Sequence, residues 1–322
     1  MLAITVGVLL PNLIFSLTEK WFLSKQSPPD NTTAVTAESV PSTQAQEKEQ
    51  PTVTVLMPDG GMRQMQMDDY ITGVVLGEMP VEFDAEALKA QAVVARTYTY
   101  KRSTTGQKHS GGAVCTDFAC CQGYCSVEEY LQQGGTKASV SKVSSAVSST
   151  SGQILTYQGA VIEATYFSCS GGRTEDALAV WGSYIPYLQA VDSPGEEAAV
   201  HYTDTVWFTK NEFADCLGIN PKGAPNTWFG NVTYTDGGGV ATMEIAGTKF
   251  QGTQLRQKLN LRSTVFTVKT VGNDICITTK GFGHRVGMSQ YGAEAMAVSG
   301  SSYEQILAHY YPGTELKTHT QN

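Results

Sequence analysis

The sequence predicts an α+β body behind an N-terminal membrane anchor and a flexible tether, on three observations. An apolar run opens the chain, a polar stretch without large apolar residues follows, and the remainder groups helical and β-like patterns instead of alternating them strictly. No internal repeat is present. With 322 residues the chain can form one large or two modest domains and bury a core without covalent staples.

Residues 2–17 are almost unbroken apolar, extended by Trp21, Phe22 and Leu23, and so approach the ~20 residues of a spanning helix. Pro11 and Asn12 interrupt the run, and no basic residue precedes it to orient it. A cleaved signal peptide is the rival, but no small-x-small site follows, so residues 1–23 read as an uncleaved anchor. Residues 24–52 are rich in Ser, Thr, Pro, Gln and Glu and cannot offset the entropy of ordering, which makes them a tether. The body, 53–318, has one or two lobes. A net charge of −8 without clustered Lys and Arg excludes nucleic acid as a partner.

Within the body, residues 52–57 and 62–67 flank Pro58-Asp59-Gly60-Gly61 and predict a hairpin. Asp68 or Asp69 then caps a helix through Val75, which Pro80 stops near Glu78. Asp84 caps a second helix reaching about Arg102, apolar nearly all round. A hairpin over 154–157 and 161–167 turns at Gln158-Gly159, and 209–217 is a helix with a Thr209/Glu212 capping box and Gly218 at its end. Strands follow at 231–235, 240–245, 265–271 and 275–279, then two closing helices at 289–298 and 302–310.

Glu78 stands at a forced stop between two apolar helices. Val74, Val75, Met79 and Phe83 offer an apolar wall that raises a carboxyl pKa by desolvation, as acid catalysis near neutral pH requires. Glu82, Asp84 and Glu86 compete for the role, but Asp84 is a cap and Glu86 a first-turn residue. Lys89 and Arg96 lie seven apart on nearly one face of the second helix. Such cations contact a polyhydroxyl substrate or form ion pairs with Glu78, Glu82 or Glu86. The Gly-rich segment 281–292, GFGHRVGMSQYG, lets backbone approach a ligand, and Ser289, Gln290 and Tyr291 carry groups that bind sugars; Ser289 also suits a helix cap. Of seven cysteines, four fall within 115–125, and His109, Cys115 and Cys121 show H-x5-C-x5-C spacing. Zinc, disulfides and buried thiols all remain open there, with Cys120 or Cys125 as substitute zinc ligands. Cys169, Cys216 and Cys276 are isolated and read by default as buried thiols.

GEMP followed by EALKAQAVVARTYTY closely resembles the core signature of the stage II sporulation protein D family. YFSCSGGRTEDALAVWG from Tyr166, PYLQAVDSP from Pro186 and GHRVGMSQYGAEAMA from Gly283 resemble the same family in its order, over roughly residues 53–313. The resemblance implies a membrane-anchored bacterial cell-wall enzyme with an extracytoplasmic body. It would cleave peptidoglycan glycan strands stripped of stem peptides, as a lytic transglycosylase, during forespore engulfment. Glu78 would be the single acid and base, because the sugar's own 6-hydroxyl attacks and leaves a 1,6-anhydro-muramyl end. Tyr166, Ser168 and Ser170 match the family's Y-x-S-x-x-G-G segment as cleft residues, with Cys169 atypical. Some members hold zinc near the cleft through residues matching His109, Cys115 and Cys121. A cell-wall amidase and a membrane partner are the implied associates. Arg285 stands where the family usually has Gly, which puts the local turn in question. The alternatives are a non-catalytic glycan-binding or amidase-activating module and, least supported in the absence of HExxH, a zinc hydrolase.

Overall fold

The computed structural model describes residues 51–319. The expected anchor, and the tether up to residue 50, lie outside the described residues. Among the described residues no helix is long and apolar enough to cross a membrane.

The hairpin of β1 (Thr52–Leu56) and β2 (Met62–Gln66) forms as expected, with Val53 opposite Met65. α1 (Met67–Glu78) starts one residue before the expected caps. Gln66 is its N-cap, and Asp68 and Asp69 fall in the first turn, where negative charge also suits the helix dipole. α1 ends at Glu78, and the Met79 N–H caps it through the Val75 carbonyl. Asp84 caps α2 (Ala85–Thr104) through Glu86 N–H, and α2 is buried on nearly every side. β3 (Val114–Cys115) runs parallel beside β1.

The sequence did not predict α3 (Val127–Gln132) or α4 (Lys137–Ser149). The Ser and Val content of α4 is poor for an isolated helix. Its Thr136 cap and the burial of Val143, Ala146 and Val147 in the core shared with α1 and α2 override that propensity. β4 (Gln153–Tyr157) turns through Gln158 and Gly159, both at positive φ, into β5 (Ala160–Val161). The expected strand over 161–167 is broken after β5. β6 (Tyr166–Phe167) pairs elsewhere, and α5 (Ala177–Trp181) follows it.

Residues 203–280 build a second core. It contains β7 (Thr203–Thr209), α6 (Lys210–Leu217) with the predicted capping box, β8 (Phe229–Tyr234), β9 (Val240–Ile245), β10 (Thr248–Gln251), α7 (Gly252–Lys258), β11 (Val265–Val271) and β12 (Asp274–Lys280). The strands form two antiparallel sheets, ordered β11-β12-β7 and β10-β9-β8. The chain then returns to the first core as β13 (Met288–Ser289), α8 (Gln290–Val298), α9 (Tyr303–Tyr310) and β14 (Glu315–Thr318). β13 runs parallel to β6, Met288 opposite Tyr166 and Ser289 opposite Phe167. This short pairing closes the second core off as an insertion and draws the two ends of the body together.

Candidate active site

Glu78 occupies the last turn of α1, half-buried, above a floor in which Val74, Val75, Met79 and Phe83 are all buried. Three polar groups face it. The Gly123 N–H donates to Glu78 Oε1, the Tyr166 hydroxyl acts on the carboxyl, and Gln290 Nε2 donates to the Glu78 carbonyl at 3.1 Å. None is a carboxylate. Desolvation raises the Glu78 pKa above the ordinary range, and the Gly123 N–H, with the neighbouring Tyr166 and Gln290 side chains, only partly offsets it. The competing acids are engaged or exposed: Asp84 caps α2, Glu86 pairs with Lys89 at 2.6 Å, and Glu82 is exposed.

Two residues of this constellation, Gln122 and Gly123, are absent from the sequence reading. Gln122 is buried, donates to Thr99 Oγ1 of α2 at 2.9 Å and accepts from the Tyr166 hydroxyl at 3.2 Å, which fixes that phenol beside Glu78. The loop segment around Gly123 can reach Glu78 because α1 presents glycines to it. Cys125 N–H donates to the Gly73 carbonyl, and a Cβ at Gly77 would stand 3.0–3.1 Å from the backbone of residues 123–125. The G-x-x-x-G spacing of Gly73 and Gly77, just before Glu78, is the signal that marks this close approach. Gly77→Ala is expected to cost about 1–3 kcal/mol by overpacking against backbone that cannot swing away. It should also loosen the Gly123–Glu78 bond, which holds the carboxyl pKa down, checked as a lower Tm in thermal unfolding and a higher Glu78 pKa by carboxyl NMR titration.

Several expected substrate contacts need correction. Arg96 is buried and donates to Asp68 (3.0 Å) and to the Val147 and Gln153 carbonyls, so its guanidinium is spent inside the fold. Its partner is Asp68, not Glu78, Glu82 or Glu86. Asp68 and Glu78 lie ten residues apart in one helix, roughly 15 Å along the axis, so Arg96 belongs to the far end of α1. Ser170 is buried with its hydroxyl on Glu196 (2.8 Å), and Ser289 is buried capping α8 through Gly292 N–H; neither offers a free hydroxyl to a ligand. Lys89 pairs with Glu86, one of the expected acids. Half-buried Ser168 accepts the Tyr291 N–H on its carbonyl, and Tyr291 packs edge-on against Phe83 at 5.0 Å, so both border the Glu78 region.

Arg285 keeps the left-handed turn that glycine would adopt, at φ 67°. Its buried guanidinium offsets that strain by donating to the Ser170, Arg173 and Gly237 carbonyls, each at 2.6 Å, and to Glu175 at 3.1 Å. It thereby ties the 281–292 loop to the β8–β9 turn of the second core. His284 accepts the Val286 N–H on Nδ1, and burial lowers its pKa to about 4, so it is neutral at pH 7. Its ring lies between those of Phe167 and Trp181.

His109, Cys115, Cys120 and Cys121 bring four ligand atoms within 4.8 Å of one another, with His109 Nε2 3.5 Å from Cys120 Sγ and 3.6 Å from Cys121 Sγ. One imidazole and three sulfurs at these separations suit tetrahedral zinc. Cys120 joins the three expected ligands, whereas Cys125 turns its Sγ to the Ser126 carbonyl. All seven cysteines are free thiols; Cys169 is buried as expected, but Cys276 is only half-buried and Cys216, near the end of α6, is exposed.

The profile described as "Stage II sporulation protein" matches residues 60–157, the segment that supplies Glu78, the His/Cys cluster and Gly123. Stage II sporulation protein D of Bacillus amyloliquefaciens is 43% identical over 255 residues, 78% of this chain and 74% of that protein. The chain belongs to the stage II sporulation protein D family. The Bacillus subtilis (strain 168) stage II sporulation protein D is 42% identical over the same shares. A Bacillus subtilis protein named "Amidase enhancer" is 30% identical over 77% of this chain and 40% of that protein. Membership in the stage II sporulation protein D family makes this a sporulation protein, and the Glu78 site sits within the part of the chain the profile matches.

Proposed function

We propose that this protein is a peptidoglycan lytic transglycosylase in which Glu78 is both acid and base. The supporting observation is a desolvated carboxyl that, among the described residues, is faced by neutral groups. Glycosidases that hydrolyse need a second carboxylate to attack or to activate water, and none of the described residues faces Glu78 with one. Protonated Glu78 gives its proton to the glycosidic oxygen as the C1–O bond breaks. The muramyl 6-hydroxyl then bonds to C1 and returns its proton to the Glu78 carboxylate, which closes the 1,6-anhydro ring without consuming water. Holding that hydroxyl near C1 makes the attack intramolecular, with the entropic advantage of a unimolecular step. Tyr166, Ser168, Gln290 and Tyr291 are the residues placed to orient the strand, and Lys89 stands further out on α2.

In this reading the apolar N-terminal segment anchors the protein in the cell membrane with the body outside, and a cell-wall amidase and a membrane protein of engulfment are its partners. Incubating the full-length protein with glycan strands freed of stem peptides tests the activity. Products lighter by one water than hydrolytic ends, read by mass spectrometry, are expected; hydrolysed ends would sink the single-acid reading. The relative named "Amidase enhancer" favours a second reading as an amidase-activating module, for which Glu78→Gln should leave amidase stimulation intact.

Zinc would be held by His109, Cys115 and Cys121 with Cys120 as fourth donor. A four-donor set leaves no position for a reacting water, so the metal would stabilise the loop that carries Gln122 and Gly123. Chelator treatment is therefore expected to lower Tm by several degrees, with recovery on zinc addition. An unchanged melting curve at confirmed metal removal would refute it.

A further inference from the structure

We propose that Phe118 is a sugar-stacking residue, forming with Glu78 a glycan subsite whose floor is Gly123; this rests on the glycan-strand reading above. Among the described residues Phe118 is the most exposed of the large aromatic side chains, at 75%, and packs into neither core. A single exposed aromatic ring is unremarkable on a protein surface. Its position is not. A Cβ built on Gly123 would lie 3.6 Å from Phe118 Cβ, 3.1 Å from Glu78 Oε1 and 3.3 Å from Glu78 Cδ. The Phe118 side chain and the shielded carboxyl therefore flank one glycine, where any larger residue would crowd both.

The backbone that presents Phe118 is fixed by its own hydrogen bonds. Asp117 Oδ1 accepts the Ala119 N–H at 2.8 Å, and the Asp117 carbonyl accepts the N–H groups of Cys120 and Cys121 at 3.0 and 2.8 Å. Cys120 and Cys121, immediately after this turn, belong to the His/Cys cluster. One loop thus delivers the Gly123 N–H to the acid and holds an apolar ring at the rim beside it. Pyranose rings carry an apolar face of axial C–H groups, slightly positive against the negative face of an aromatic ring, so flat stacking gives affinity without a hydrogen bond. A phenylalanine displayed in water next to a proton donor suits a sugar on one side of the scissile bond.

The test uses the full-length chain in the Glu78→Gln background and amidase-stripped glycan strands as probe, with binding read by calorimetry. Phe118→Ala should weaken Kd about tenfold and Phe118→Trp restore it. Tyr234→Ala, an exposed aromatic of the second core, should leave Kd unchanged. Melting temperatures of all variants should match their parent, since the exposed ring has little packing to lose. Unchanged binding by Phe118→Ala, or equal losses in Phe118→Ala and Tyr234→Ala, would overturn the subsite and leave the proposed function standing. If Glu78→Gln itself binds no strands, the glycan reading and the subsite fall together.

Discussion

Glu78→Gln is expected to lower glycan-strand cleavage by about three orders of magnitude, the middle of the range for losing a positioned acid–base group. Oε1 remains to accept the Gly123 N–H, so the fold and strand binding should survive. Direction follows from the raised pKa. The folded protein holds the Glu78 proton to higher pH than the unfolded chain does, so the Glu78 contribution to stability is fully present below the unfolded carboxyl pKa. It is lost as pH rises through the folded one. Wild type should therefore be less stable than Glu78→Gln at neutral pH, with the gap closing in acid, as calorimetric unfolding across pH would show. The same titration sets the basic limb of kcat/KM, because only the protonated carboxyl can start the reaction. Cleavage that persists in the Gln variant, or a pH profile identical in both proteins, would move the chemistry to another residue.

Arg96→Leu should cost about 3–5 kcal/mol of folding stability, because it strands Asp68 beneath the fold without its cation. Asp68 Oδ2 already has no partner among the described residues, so Oδ1 loses the guanidinium that offsets its burial. Denaturant unfolding measures the loss. Strand affinity per folded molecule should not change, since every Arg96 donor points inward at the far end of α1. Lys89→Ala is the contrasting case. Its pair with Glu86 is partly exposed, and its removal should cost less than about 1 kcal/mol. A specific binding defect in Arg96→Leu, at full stability, would restore the substrate role that the sequence suggested.

Local chemistry explains how much of this site was legible in the chain. Pro80 stops α1 wherever the rest of the protein goes, and Asp84 caps α2 through its own neighbour, so the helix end bearing Glu78 could be placed from residues 67–86 alone. The H-x5-C-x5-C spacing likewise pointed to three donors that do meet. Gln122 and Gly123 could not be found this way. Gly123 acts on Glu78 across 45 sequence positions, Gln122 reaches it only through Tyr166, 44 positions further along, and their local marks are the glycines of α1 that make room for them. Arg96 misled because an apolar helix with two cations reads the same whether the partner is a ligand or an acid from the preceding helix. α4 misled in the opposite sense: its propensity is poor, and burial against α1 and α2 decides its state.

By itself the sequence determined the breaks, caps, capping boxes and turns, and with them the family signature and the candidate acid, because each depends on residues within a few positions of one another. Only the tertiary structure decided what surrounds that acid. The pairing of β6 with β13 brings Tyr166 beside Met288 and hence Gln290 to Glu78 across the whole second core. Packing also chose Asp68 for Arg96 and added Cys120 to the thiol cluster. Desolvation and hydrogen-bond partnership are properties of that assembled neighbourhood, and a linear pattern fixes which groups are available without fixing which of them meet.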